Sequence, residues 1–192
     1  MSAQQRVKTR RMRNLFFSLL MLLWAVPVGG MPHPSSTLAD RVIATVAGTV
    51  VTASDIRLHS ALADLDPSFV PILQKRAAND HQDAIDAAIL RSIAGRVPVY
   101  QPKPSQVRSR VSRFRSMWSS QRELTEFLAL HGLEGERLPA ALQRRMVIER
   151  VVHRNFGPPD DDMMDWNSRF STWMDRERKT VRVRIIPRQE LP

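Results

Sequence analysis

Two short β-branched runs bracket a chain whose other apolar residues recur at helical spacing, and this limits the folds open to it. Near the start, Arg41-Val42-Ile43-Ala44-Thr45-Val46-Ala47 roughly alternates, passes Gly48-Thr49 and resumes as Val50-Val51-Thr52, the pattern of a short hairpin. At the far end, Val181-Arg182-Val183-Arg184-Ile185 alternates strictly, as a strand with one buried side does. A two-stranded hairpin is marginal alone, and a lone strand leaves its backbone groups unpaired. Pairing the tail with the hairpin answers both needs. The expected fold is mainly α with a small β-sheet: a helical bundle closed by an N-terminal hairpin paired with a C-terminal strand.

The helices are marked by caps and stripes. Thr52-Ala53-Ser54-Asp55 is a capping-box start for a helix from Ala53 to about Leu65, with Ile56 and Leu62 apolar and Asp66-Pro67 as its stop. Ile85, Ile89 and Ile93 share one face of a second helix from about Asp80 to Ala94, ended by Gly95. Proline-rich residues 97–104 form a stiff connection. Val107, Val111, Phe114 and Trp118 then make the next stripe. Ser120 to Glu123 caps a short helix carrying Leu124, Phe127 and Leu128. A longer helix is expected from about Glu134 to Asn155, with Pro139 tolerated in its first turn. Gly157-Pro158-Pro159 breaks it, and Asp160, Asp161 and Asp162 suit the start of a last helix striped by Met163, Trp166, Phe170 and Trp173.

The first residues have another purpose. Arg6, Lys8, Arg10, Arg11 and Arg13 precede an apolar run from Leu15 to Val28 that ends in Gly29-Gly30. A basic start, a short apolar core and a small-residue exit are the parts of a secretory signal. The run falls short of the roughly 20 apolar residues that a membrane span needs, so a cleaved signal is preferred over an uncleaved anchor. Residues 1–30 are read as signal peptide, 31–39 as flexible leader and 40–192 as a single domain, with cleavage after Ala39 as the alternative to Gly30. The working location is then periplasmic.

Charge must be counted on the mature chain. Five of the 29 Lys and Arg lie in the signal, leaving 24 against 19 acidic residues, so the formal excess drops from +10 to +5. That is a moderate balance, and nucleic acid is not an expected partner. With no cysteine there is neither disulfide nor thiolate metal site, and the fold must rest on its apolar core. About 160 residues is ample for one such domain.

Several strings resemble the N-terminal module of SurA-like periplasmic chaperones, whose relatives include foldases with parvulin prolyl-isomerase domains. They are Asp40 to Val46 with Val50 to Ile56, then Ala84 to Leu90, then Phe127-Leu128-Ala129-Leu130-His131-Gly132-Leu133 with Leu142 to Arg150. The resemblance spans roughly residues 40 to 156 and rests on fold-bearing strings without a catalytic signature. It implies a peptide-binding helical module. In that family a parvulin domain commonly follows the helix that ends here near Phe156. Only Gly157 to Asp162 stand at that point, so no isomerase domain fits.

Sites read from the residues alone are few. His33, His59, His81, His131 and His153 fall in no metal-ligand spacing, and the aspartate run lacks the pattern of a calcium loop. No catalytic constellation, metal site or cofactor site is expected. Asp55 and His59 read as a plain helix pair, while Arg108, Arg110, Arg113 and Arg115 read as a solvated face, as do Arg182 and Arg184. Methionine suits surfaces that accept varied apolar partners. Met117 and Met164 lie beside their stripes, and with Trp118 they are the expected client-binding residues. The expected function is a non-catalytic holdase for unfolded or envelope-destined proteins. An assembly or scaffold subunit with one partner is the alternative, and a degenerate prolyl-isomerase relative is the third.

Overall fold

The computed structural model describes residues 40–74, 80–95, 97–157 and 163–187. The residues read as signal and leader, His33 and the aspartates at 160–162 lie outside the described residues. Among those described, the chain is mainly helical with a three-stranded antiparallel sheet. Its order is β1 (Val42–Val46), β2 (Thr49–Thr52), α1 (Ala53–Leu65), α2 (Asp80–Ala94), α3 (Pro104–Ser116), α4 (Gln121–Leu130), α5 (Arg137–Phe156), α6 (Met163–Thr180) and β3 (Val183–Ile185). No described helix is long and apolar enough to cross a membrane.

The hairpin turn is Ala47-Gly48, with φ of 48° and 81°. Two positive φ values are what a type I′ turn needs, and its twist matches that of the flanking strands. Thr52 ends β2 and begins α1: its hydroxyl accepts from Asp55 N–H at 3.2 Å, while Asp55 Oδ2 accepts from Thr52 N–H at 3.0 Å. The capping box is therefore complete. β1 is the central strand of the order β2-β1-β3, with Ala44 opposite Ile185 and Val46 opposite Val183.

Burial of the tail departs from the alternation argument. Val181 and Val183 pack against the core, but Ile185 is 63% exposed. The strand has three residues, and the last of them, Ile185, stands clear of the core. Its attachment is largely main-chain: beyond the ladder, Ala47 N–H donates to Arg182 C=O at 2.9 Å and Ile186 N–H to Ile43 C=O at 2.8 Å.

Two apolar clusters make the interior. The larger joins the sheet, α2, the C-terminal half of α5 and the Trp166, Phe170 and Met174 stripe of α6. The smaller joins Leu62 of α1 to Val111, Phe114, Leu124, Leu138 and Leu142. α5 runs through both. α2 is buried almost all round, including Asp83 and Asp86. Asp86 is satisfied by Gln82 Nε2 at 2.8 Å and by Arg178 of α6, whose Nε lies at 2.9 Å. Gly157 ends α5 at φ 73°, ψ −178°, a region essentially restricted to glycine.

Candidate functional site

α3 is held in place from below by charge. Asp66, at the C-terminus of α1, accepts from Arg110 Nε at 2.5 Å and Nη2 at 2.8 Å, and from Arg145 Nε at 3.0 Å. Arg110 also reaches Glu149 at 3.0 Å, and Arg145 Nη2 donates to the carbonyls of Asp66 and Leu73 at 2.7 and 3.2 Å. Burial depresses the Arg145 guanidinium and Asp66 offsets it. Burial likewise opposes the charge on Arg110, but Asp66 and Glu149 outweigh it and the net direction is upward. Arg110 therefore corrects the reading of a wholly solvated arginine face: it is tied into a part-buried network, while Arg108, Arg113 and Arg115 are exposed. Spacing could not separate the four, because the two acceptors that distinguish Arg110 lie 44 and 39 residues away in sequence.

At its N-terminus α3 is tied to α5. Arg150 Nη1 donates to Gln101 C=O at 2.7 Å and its Nη2 to Gln106 Oε1 at 2.6 Å, while Gln106 Oε1 also caps Lys103 N–H at 2.9 Å. Pro104 occupies the first turn, where no hydrogen-bond donor is required. The stiff proline segment is thus held against α5.

These ties leave a groove on each flank of α3. Between α3 and the start of α5, Pro102, Pro104, Val107, Val111 and Pro139 line a groove of about 710 Å³, with Arg108, Arg115 and Glu136 also in its walls. On the other flank, Phe69, Phe114 and Met117 share a groove of about 410 Å³ with Asp66, Arg110, Arg113 and Glu149. Volumes of 300–1,000 Å³ are typical of ligand sites.

Among the expected client-binding residues, Met117 lines the smaller groove and is 45% exposed. Trp118 is half-buried, packed on Phe127 with ring centroids 4.9 Å apart, and its Nε1 is buried without a hydrogen-bond partner. Met164 is 85% exposed on α6 and lines neither groove. The larger groove was legible only in pieces: Val107 and Val111 read as core stripe and the prolines as a connection. Tertiary packing of α3 against α5 is what assembles them.

Elsewhere, His59 Nε2 lies 2.8 Å from Ile72 C=O, and since a carbonyl only accepts, that nitrogen carries the proton. No three carboxylate or imidazole side chains among the described residues are placed to hold a metal ion. No family model matches the chain, and no curated protein matches it significantly.

Proposed function

We propose that the mature protein is a non-catalytic periplasmic holdase that shields unfolded or envelope-destined proteins. The supporting observation is the groove between α3 and α5, floored by Val107, Val111 and three prolines and flanked by charged side chains. Such a surface offers an apolar strip for contact, bordered by the polar side chains of Arg108, Ser112, Arg115, Glu136 and Gln143. Proline walls are preset in shape, so little ordering opposes binding. Client aromatic and aliphatic segments would lie along this floor, and Arg108 and Arg115 would add weak attraction for acidic ones. Met117 extends the apolar surface on the other flank of α3. The SurA-like strings and the signal-like first 30 residues support the same class and compartment.

The test is suppression of thermal aggregation for several unrelated proteins by residues 31–192. Val107→Asn should weaken suppression while the melting temperature stays near that of the wild type. Loss of protection for every client would overturn the proposal. Tight binding of one protein without protection of the rest would make the molecule an assembly or scaffold subunit instead.

A further inference from the structure

Between α1, α2 and α5 lies a small cavity with a basic wall that shares no lining residue with either groove. Its volume is about 40 Å³, and Asp55, His59, Arg91, Arg144 and Arg145 contribute to its lining together with apolar residues such as Leu62 and Ile148. At ~10–15 Å³ for each water-sized probe, it holds roughly three oxygen-sized atoms. That is the scale of a carboxylate, or of the two or three oxygens that a phosphate group turns inward.

The charges in this wall do not cancel. Arg145 is matched by Asp66, and the Arg110 that shares Asp66 is matched by Glu149. Arg91 and Arg144 then face Asp55 alone among the lining carboxylates, and Asp55 is already engaged with Thr52. Asp80, which acts on His59 from outside the lining, accepts from Ser60 at 2.9 Å. Arg145, which also lines the cavity, is incompletely satisfied. Its side chain is 5% exposed, two of its nitrogens are bonded, and Nη1 is buried with no acceptor. A buried guanidinium nitrogen without an acceptor is costly and calls for an explanation. Burial, then the charge of Arg144, depresses the Arg91 guanidinium, with Asp55 opposing, so additional negative charge here would be stabilising.

We propose that this cavity binds a small oxyanion, the oxygens of a carboxylate or phosphate group, between the guanidinium groups of Arg91, Arg144 and Arg145. Planar guanidinium forks suit such groups better than they suit a spherical halide. Arg144 is solvent-exposed, so the site has a wall that reaches the surface. This reading is independent of the holdase proposal and would survive its failure.

The experiment uses the mature chain in phosphate-free chloride buffer, titrated calorimetrically with inorganic phosphate, with acetate and with further chloride at matched ionic strength. Saturable binding of at least one oxyanion, with no response to chloride, is expected. Arg144→Gln removes an exposed side chain and should leave the fold intact while weakening the oxyanion by roughly tenfold, the equivalent of one charge-assisted hydrogen bond. Arg91→Gln is the second variant. Resonances of the Arg145 Nε–H and the His59 ring should move with the titration, which locates the ion. A short peptide with a free C-terminus, set against its amide, separates a chain-borne carboxylate from a free ion. Absence of binding by phosphate and acetate alike, or unchanged affinity in both variants, would overturn the proposal.

Discussion

At the scale of single residues, His59 shows how packing sets a proton. Burial first, and then the charge of Arg145, pushes its pKa down to about 4, while the bond to Ile72 C=O pulls it upward. In the unfolded chain a histidine titrates near ~6.5. Between these values the unfolded chain holds a proton that the folded chain lacks, so stability rises with pH across the window. Put the other way, stability is fully present above ~6.5 and falls by ~3 kcal/mol as pH drops to about 4. His59→Gln keeps an N–H donor for Ile72 without a titrating ring. Its urea midpoint should therefore decline less than that of the wild type between pH 7 and pH 4. Parallel declines would assign the acid sensitivity to other groups.

At the scale of elements, β3 is the clearest test of what holds a short segment. Its contribution comes from main-chain bonds to β1 and from Val181 and Val183, with Ile185 left outside. Full burial of a valine is worth roughly 1.5–3 kcal/mol, so two half-buried ones contribute about 2 kcal/mol. Ending the chain after Thr180 should lower stability by ~2–3 kcal/mol once the ladder bonds are included. It should also expose β1 as an unprotected edge, a template for aggregation. Thermal melting with light scattering checks both effects. A truncated chain that melts like the full one would show that the tail contributes nothing, and Ile185→Ser should be nearly silent in either case.

For the whole domain, Asp66 is the node. It sits at the end of α1, is 3% exposed, and holds Arg110 of α3 and Arg145 of α5 at the boundary of the two apolar clusters. Replacing one partner of a buried ion pair leaves the other charged and unpaired, which costs about 3–5 kcal/mol. Asp66→Ala should accordingly shift the urea midpoint well down, and because two arginines lose their acceptor, Arg110→Met should cost less than Asp66→Ala. Equal and small effects would mean that solvent already shares the network. Loss of Asp66 should also loosen α3, so groove binding would weaken in this variant even under conditions where it stays folded.

Local chemistry was legible in the chain itself. Thr52 and Asp55 declare a helix start whatever lies around them, because both halves of the box are three residues apart. The hairpin was legible too, but its turn is Ala47-Gly48 rather than the Gly48-Thr49 that the pattern suggests, with Ala47 taking a positive φ and Thr49 already in β2. The stop at Gly157 is local. The helical spacing of Ile85 and Ile89 in α2 and of Trp166 and Phe170 in α6 was legible, but α2 is buried almost all round and Met174, with Trp173 only half-buried, completes the buried stripe of α6. Sequence alone thus determined the mainly helical class, the small sheet and the ends of most elements. It could not tell that Arg110 differs from Arg108, or that Ile185 would stand clear of the core. Nor could it join Val107 to Pro139 across a groove, or Arg91 to Arg145 around a cavity. Those outcomes depend on residues from 30 to 80 positions apart meeting in space, and a charge is solvated or buried according to what packs over it, which only the tertiary structure decided.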